Sequence, residues 1–303
     1  MAYFRRPKSL WWLTSLIDLD DFGKFFYDPF VSESLKTPAF LLQSFDLGES
    51  DRLLTFYTQK EGKVKGVARA AKKSRKRFGG ALDWFHLVKL HYRAPKQAQG
   101  ELLRIESLDF LWKSQKISQD LNCYGLGSYY LELVRELTHW HHPEPDVFDL
   151  LHLVLRRLED SAGVTPLNLN YLKDLSRFFE MNLLDLLGFR PVLDHCVHCQ
   201  ESLTNLPQKV SLCVHRGGIF CKKCQRNQKG PFENVSLETI QALKETLQST
   251  KRLQELNQRV TSHQLFPHFS KKAHQEARKI LGDLISLHTQ KPMRSLEFLK
   301  SLH

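Results

Sequence analysis

Five of the six cysteines in this chain lie between Cys196 and Cys224, and four of them form two C-x-x-C pairs. The pairs are Cys196/Cys199 and Cys221/Cys224, in the pattern C-x2-C-x21-C-x2-C. Each C-x-x-C turn brings two thiolates toward one ion, so two turns supply the four ligands of a tetrahedral zinc site. Because four cysteines leave no position for a water molecule, the predicted Zn²⁺ is structural and not catalytic.

The fifth cysteine of this cluster, Cys213, lies between the two pairs. Its simplest interpretation is a spare buried thiol that packs against the metal site. Replacement of one of the four predicted ligands by Cys213 or His215 is the alternative. Gly217 and Gly218 precede the second pair and predict a tight turn in a short hairpin, "VHRGGIF", which leads into it.

The rest of the chain lacks a pattern for catalysis. The histidines His139, His141 and His142 invite a second metal, but they follow a predicted helix, whose C-terminal dipole they would complement. The segment "YGLGS" lacks the strand and third glycine of a dinucleotide loop. A ligase fragment or nuclease would need a nucleotidylated lysine motif or clustered carboxylates, and the sequence shows neither. The sequence therefore predicts a protein that is not an enzyme.

A basic segment follows the second predicted strand. The chain carries a net charge of +11, and residues 60–77 contain nine Lys or Arg and one acid. Such a surplus is typical of nucleic-acid binding, although a solvated surface is the simpler alternative. The segment "KKSRKRFGG" predicts a flexible basic loop that leaves the barrel. The alternative is a nucleic-acid groove elsewhere, for instance along Arg156, Arg157 and Lys173. The predicted nucleic-acid contacts are Lys65, Arg69, Lys72, Lys73, Arg75, Lys76 and Arg77.

The elements that carry this segment are strands. Five apolar or alternating runs, "AFLLQSF", "RLLTFYTQ", "KVKGVARAA", "LDWFHLVKLHYR" and "ELLRIESLDF", are separated by turn signals. They predict an OB-fold barrel over residues 37–115, with an SH3-like barrel as the alternative. Nearby aromatic residues are available for stacking on bases, although some of them must belong to the core. These aromatics are Phe56, Tyr57, Phe78, Trp84 and Tyr92.

Residues 116–303 show the longer period of helices and contain the predicted knuckle at residues 196–224. The fold class is therefore α+β: an N-terminal five-stranded OB-fold barrel followed by an all-helical domain with an embedded four-cysteine zinc knuckle. Residues 1–36 form an N-terminal extension of unknown role. Its apolar stretch breaks at three aspartates, which argues against a signal peptide. No apolar run approaches the length of a membrane helix, so no membrane partner is predicted.

In combination, these segments resemble the bacterial RecO family of recombination mediators. The first matching segment is "FDLGESDRLLTFYTQKEGKVKGVARAAKKSRKRFGGALDWFHLVKLHY". The others are "LLGFRPVLDHCVHC", "GGIFCKKC" and "KPMRSLEFLKSL". The residues at the family's barrel signature are Glu49, Asp51, Thr58, Gly62, Gly66, Lys73, Ser74 and Arg75. The extension at residues 1–36 has no counterpart in this resemblance.

The resemblance implies a protein that binds single- and double-stranded DNA, anneals complementary strands and helps load recombinase onto DNA coated by single-strand binding protein. Its implied partners are RecR and the acidic C-terminal tail of the coating protein, and its implied location is the cytoplasm, with the nucleoid. An RNA-binding or ribosome-associated zinc-ribbon module is the alternative. Because the tail ends in an apolar residue after acids, it needs an apolar pocket with a cationic rim. The predicted contacts are Lys271, Lys272, Arg278 and Lys279, beside Ile280, Leu281 and Leu284.

Overall fold

The computed structural model describes residues 33–95, 102–203, 209–256, 267–289 and 293–296, with side chains omitted for residues 249–256. The N-terminal extension predicted for residues 1–36 thus lies almost entirely outside the described residues. Within the described part of the chain, no helix has the length and apolar character needed to span a membrane.

Five strands close into a barrel at the start of the described chain. They are β1 (Leu35–Leu47), β2 (Asp51–Thr58), β3 (Gly62–Ala68), β4 (Leu87–Arg93) and β5 (Leu102–Trp112). The strand order is β1-β2-β3-β5-β4, and β4 pairs back onto β1. All neighbours are antiparallel except β3 and β5, which are parallel. This arrangement is that of an OB-fold, which confirms the predicted barrel and excludes the SH3-like alternative.

The two faces of β1 and β2 pack into different cores, because successive side chains of a strand point to opposite sides. Leu41, Leu54 and Phe56 belong to the barrel interior. Phe40 and Tyr57 point outward and are nevertheless fully buried, because the helical region covers them. Barrel and helices therefore share an apolar interface.

The basic segment differs from the predicted flexible loop. After β3 the chain turns at Ala70, with φ of +53°, and forms the short helix α1 (Arg75–Phe78). Phe78 and Ala71 are buried in the barrel core. Apolar residues placed between the cations thus fix the segment against the end of the barrel, so that its charged side chains are held at a defined place.

Long helices build the rest of the fold: α2 (Leu121–Leu137), α3 (Pro145–Ser161), α4 (Leu169–Leu186), α6 (Leu237–Leu256) and α7 (Lys271–His288). Asp120, Asn168 and Ser270 cap α2, α4 and α7 by accepting a backbone N–H three residues on. After α4, Gly188 follows the C-cap Leu187 and adopts φ of +78°, the left-handed conformation that commonly ends a helix. The helices bury one apolar core that includes Leu133, Phe178 and other residues of every long helix.

The helical region also contains a small sheet that the sequence prediction of an all-helical domain omitted. Its strands are β6 (Lys209–Cys213), β7 (Gly218–Phe220) and β8 (Glu233–Ser236), in the antiparallel order β7-β6-β8. β6 and β7 form the hairpin predicted from "VHRGGIF", and the short helix α5 (Lys222–Arg226) follows. The sheet places the second cysteine pair beside the first.

Candidate metal centre and nucleic-acid interface

The four predicted ligands converge on one point. The sulfur atoms of Cys196, Cys199, Cys221 and Cys224 all lie within 4.8 Å of one another. The sulfurs of Cys199 and Cys221 are 3.8 Å apart. A tetrahedron with Zn–S bonds of about 2.3 Å has S···S edges of about 3.8 Å, which the Cys199–Cys221 pair matches, so the four cysteines could hold a metal ion.

Backbone contacts hold the two cysteine pairs together across the sheet. Val192, just before the first pair, accepts a hydrogen bond from Ile219 N at 3.0 Å, and its own N–H donates to Gly217 O at 2.8 Å. A Cβ at Gly218 would collide with the carbonyl oxygen of Val192. Gly217 adopts φ of +76°. The two glycines thus serve different needs, one a left-handed turn and the other close approach of two backbones.

The electrostatics of the cluster favour a cation. Burial opposes ionisation of Cys196, but hydrogen bonds from the backbone N–H groups of Cys199, Cys221 and His198 outweigh it and lower its pKa to about 6. Hydrogen bonding to the Cys221 thiol, followed by burial, raises the pKa of Cys224 to about 12. Crowded thiols without a positive charge cannot all ionise, and a bound metal removes that restriction.

Cys213 occupies the position predicted for it. It is almost fully buried and packs with Cys196 and Phe220 beneath the cluster. The described residues that converge to hold a metal do not include Cys213 or His215. Nδ1 of His198 lies 3.6 Å from the sulfur of Cys224, close enough to contact that ligand from outside the cluster.

The histidines after α2 do not form a second metal site among the residues that the structure describes. Lys63 of β3 also lies at the C-terminal end of α2. Its Nζ donates hydrogen bonds to the carbonyl oxygens of Arg135 and, at 2.6 Å, Thr138. Burial lowers the pKa of Lys63 to about 8. Lys63 therefore joins the barrel to α2, and the helical region covers it.

The predicted nucleic-acid contacts gather on β3 and around α1. Their side chains are exposed except those of Lys65 and Arg77, which are partly buried. Nζ of Lys72 is 3.0 Å from a carboxylate oxygen of Asp46, and Arg77 donates to Arg69 O at 2.7 Å. The side chains of Lys73, Arg75 and Lys76 make no hydrogen bond or ion pair with the described residues. The result is an ordered cationic surface on one end of the barrel.

The turn that presents this surface is anchored by Asp51, at the start of β2. Its carboxylate accepts a hydrogen bond from Ala70 N at 2.8 Å. That contact fixes the point where the chain leaves β3, which is where Ala70 takes its positive φ. The sequence identifies Asp51 only as part of the barrel signature of the family. In the structure, its carboxylate positions the turn at Ala70.

Four of the five aromatic residues that the sequence offers for base stacking belong to the buried cores. Phe56, Tyr57, Phe78 and Tyr92 are all buried, so their rings are inaccessible to a strand. Trp84 is only partly buried.

An exposed aromatic ring lies instead at Phe45 of β1. Strict alternation along β1 would place Phe45 on the same face as Leu41, which points into the barrel. The register of β1 against β2 shifts between Leu41 and Gln43, and this bulge turns Phe45 to the outer face. The sequence carries no signal for that bulge, so periodicity alone could not have identified the ring.

The predicted pocket for an acidic tail also requires a correction. Ile280, Leu281 and Leu284 are core residues with at most 3% exposure, so they line no surface pocket. The packing of α7 on α4 and α6 explains this, since these three residues lie on its inner face. Nζ of Lys279 is 2.7 Å from a carboxylate oxygen of Glu233, and Lys272 pairs with Glu276 at 3.8 Å.

Lys271 and Arg278, by contrast, face a cavity of about 550 Å³ between α2, α4 and α7. Lys173 and Arg177 of α4 add two further cations, and apolar residues of α2 and α4 complete the walls. Arg177 pairs at 2.8 Å with Glu180, whose pKa burial raises. Two of the four predicted tail contacts therefore line a cationic, partly apolar cavity, and Lys272 and Lys279 do not.

Comparison with known proteins agrees with this architecture. Residues 32–111 match the family Recombination protein O N terminal, and residues 118–297 match Recombination protein O C terminal. The chain is 32% identical over 270 residues to the DNA repair protein RecO of Geobacter metallireducens, covering 89% of this chain and 98% of that protein. It is 28% identical to the DNA repair protein RecO of Syntrophotalea carbinolica, covering 89% and 95%.

The two matched segments divide where the structure passes from the barrel to the helices, since β5 ends at Trp112 and α2 begins at Leu121. The resemblance that the barrel, knuckle and C-terminal motifs indicated is therefore confirmed along most of the chain. The chain belongs to the RecO family of DNA repair and recombination proteins.

Proposed function

We propose that this protein is a recombination mediator without catalytic activity, which binds single- and double-stranded DNA and anneals complementary strands. It would also help to load recombinase onto DNA coated by single-strand binding protein. The observation that carries the proposal is the ordered cationic surface around α1, where Lys73, Arg75 and Lys76 have no acidic partner among the described residues. Family membership supplies the DNA repair and recombination context.

The chemistry of annealing explains why such a surface is useful. Two complementary strands repel each other, so a protein that brings them together must supply cations where their phosphates meet. Cations fixed against a barrel need little reordering on binding, because Phe78 and Arg77 already hold the segment in place. Phosphate contacts of this kind position a strand without reading its sequence.

The metal centre supports this function through stability. Cys196, Cys199, Cys221 and Cys224 would hold a Zn²⁺ ion, which when bound crosslinks two loops and performs no reaction on DNA. The chain around it keeps the ligands in place through the β6–β7 hairpin and the contact of Val192 with Gly218.

The cavity lined by Lys271 and Arg278 supports a protein partner. An acidic peptide that ends in an apolar residue matches a partly apolar cavity with Lys173 and Arg177 on its wall. We therefore assign the acidic tail of single-strand binding protein to this cavity. RecR is proposed as a further partner on family membership alone, and we expect the protein in the cytoplasm, associated with the nucleoid.

The test of DNA binding replaces five cations, Lys72, Lys73, Arg75, Lys76 and Arg77, by glutamine. Binding of a labelled single strand is measured across a salt series. We expect weaker binding of the single strand. We also expect the slope of log affinity against log salt to become less steep, by up to about 3.5 if every lost charge contacted a phosphate.

The matched control neutralises five exposed or partly exposed cations on the knuckle and its hairpin: Lys209, Lys222, Lys223, Arg226 and Lys229. This control changes the net charge by the same amount as the α1 variant. If both variants lost the same affinity for DNA, the effect would come from net charge alone, which would contradict the assignment of DNA binding to the surface around α1. Competition between DNA and RNA strands of matched sequence then tests the alternative, an RNA-binding module. Preference for RNA would favour that alternative.

The test of the tail cavity uses two pairs of substitutions on one helix. Lys271→Glu with Arg278→Glu alters the cavity wall, whereas Lys272→Glu with Lys279→Glu alters the neighbouring face of α7. We expect only the first pair to abolish binding of an acidic peptide with an apolar C-terminal residue, measured by fluorescence anisotropy. Equal loss in both variants would show that the peptide responds to charge and not to the cavity.

A further inference from the structure

An open cleft of about 1180 Å³ lies between the barrel and the helices. One wall is the outer face of β1 and β2, where Gln43, Phe45 and Thr55 point away from the barrel core. The other wall is the C-terminal end of α2 together with the segment that follows it, including Trp140. The lining also includes the rings of Phe189 and His288, which stack with their centroids 3.8 Å apart. Aromatic rings therefore line the cleft on both walls.

Trp140 is the most unusual of these residues, because about half of its surface (51%) is exposed although its backbone is firmly held. It forms a β-bridge with Lys63, and the next residue, His141, donates its N–H to Lys63 O at 3.0 Å. Nζ of Lys63 lies 4.9 Å from the centre of the Trp140 ring. The ring is therefore held in place without being buried.

The backbone at this point is adapted to present the ring. His141 adopts φ of +55°, a left-handed conformation that residues with a Cβ rarely take. Gly62 lies so close to the segment that a Cβ there would collide with the carbonyl oxygen of His142. Backbone strain that neighbouring contacts maintain is typical of functional positions. An exposed tryptophan held by such contacts is typical of a binding site.

Strand pairing places Lys65 of the cationic surface beside a residue of the cleft wall. Phe45, also 51% exposed, lies on the same face of β1 as Gln43, which pairs with Thr55 of β2. Thr55 in turn pairs with Lys65 of β3, and residues directly opposite one another in paired strands share a face. A chain that contacts the cations around α1 and passes Lys65 would therefore reach Phe45 and the cleft.

The charges of the cleft suit a nucleic-acid strand. Arg135 contacts both acidic residues of the wall, Glu132 at 3.2 Å and Glu136 at 2.8 Å. Glu132 also accepts hydrogen bonds from the backbone N–H groups of Arg294 and Ser295. Both carboxylates thus have a partner, and the three cations Lys63, Arg135 and Arg294 outnumber the two carboxylates of the lining. The lining combines cations with exposed aromatic faces, which is the composition that binds single strands.

We propose that this cleft receives unpaired bases of single-stranded DNA, stacked on Trp140 and Phe45. The inference rests on the proposed function, because it requires that the cationic surface binds the same strand. It adds a base-stacking site to a phosphate-binding surface. Stacking is selective for unpaired over paired bases and tolerant of sequence, since every base has an aromatic face.

The experiment compares Trp140→Ala and Trp140→Phe with the wild-type protein. Each binds two labelled strands of equal length, an oligothymidylate and an abasic oligonucleotide that keeps the phosphates and lacks the bases. We expect Trp140→Ala to bind the oligothymidylate about 5- to 150-fold more weakly, the range for loss of one stacked base, and Trp140→Phe to retain most of the affinity. Affinity for the abasic strand should not change, nor should the salt dependence.

The control is Leu121→Ala, which removes another exposed apolar side chain at the opposite end of α2 and should leave both affinities unchanged. Unchanged oligothymidylate binding by Trp140→Ala would overturn the inference and leave the proposed function standing. Equal weakening for both strands would also overturn it, because Trp140 would then act through the phosphate contacts. A wild-type protein that binds neither strand would overturn the proposed function and the stacking site together.

Discussion

Replacing Lys63 by methionine should lower the free energy of unfolding by about 2 kcal/mol near pH 7. The substitution keeps an unbranched, largely apolar stem but removes the Nζ that donates to Arg135 O and Thr138 O. A buried carbonyl that loses its donor costs about 1–3 kcal/mol, and two are affected. Removal of a buried ammonium offsets part of this cost, because that charge was itself taken out of water.

The pH dependence separates these two contributions. Burial lowers the pKa of Lys63 to about 8 in the folded protein, from 10.5. Between these values the unfolded chain binds more protons than the folded protein, so wild-type stability should rise with pH. A neutral amine still donates to both carbonyls and no longer carries the desolvation cost. The advantage of the wild type over Lys63→Met should therefore be smallest below pH 8 and should grow toward about pH 10.

The assay is equilibrium urea unfolding, followed by circular dichroism at several pH values. The control is Lys65→Met, on the same face of β3, because the Lys65 side chain makes no hydrogen bond or ion pair with the described residues. This substitution should change the free energy of unfolding by no more than about 0.5 kcal/mol. A loss below that value for Lys63→Met would refute the role of Lys63 at the end of α2. A pH-independent difference between wild type and Lys63→Met would refute the lowered pKa.

Four further substitutions test other parts of the structure. Cys221→Ser should lose the bound zinc in elemental analysis and lower thermal stability, whereas Cys213→Ser should keep about one zinc per chain; an empty site in Cys213→Ser would show that the ligand set is wrong. Gly62→Ala should destabilise by more than about 1 kcal/mol in urea unfolding, because φ is +67° and the Cβ collides with His142; a neutral effect would contradict the close approach. The carboxylate of Glu159 accepts hydrogen bonds from three consecutive backbone N–H groups and one hydroxyl. These hydrogen bonds outweigh burial and lower the pKa of Glu159. Glu159→Gln should therefore lower the free energy of unfolding by about 1–2 kcal/mol near neutral pH. That difference should shrink as pH falls through the lowered pKa, and a cost that persists in acid would contradict it.

The cysteine cluster was predictable because its information is local. Two C-x-x-C pairs indicate the candidate ligands and their number, and the sulfurs of Cys199 and Cys221 lie 3.8 Å apart in the structure, where the β6–β7 hairpin places the second pair beside the first. The barrel strands and the helical character of the following region were also accessible from periodicity. The pairing of β8 with β6 was missed because β8 has only four residues, too few for a periodic signal.

The tertiary structure decided which outward-facing side chains of the strands are buried. Lys63 and Lys65 lie on the same face of one strand, yet the end of α2 covers only Lys63. In the same way, Tyr57 is buried by the helices and Phe45 is left exposed, although both lie on the outward face of neighbouring strands. A sequence states which side chains of a regular strand share a face, because that follows from backbone geometry. Which part of that face another element covers depends on how distant segments pack, and that packing placed Trp140 at the edge of a cleft.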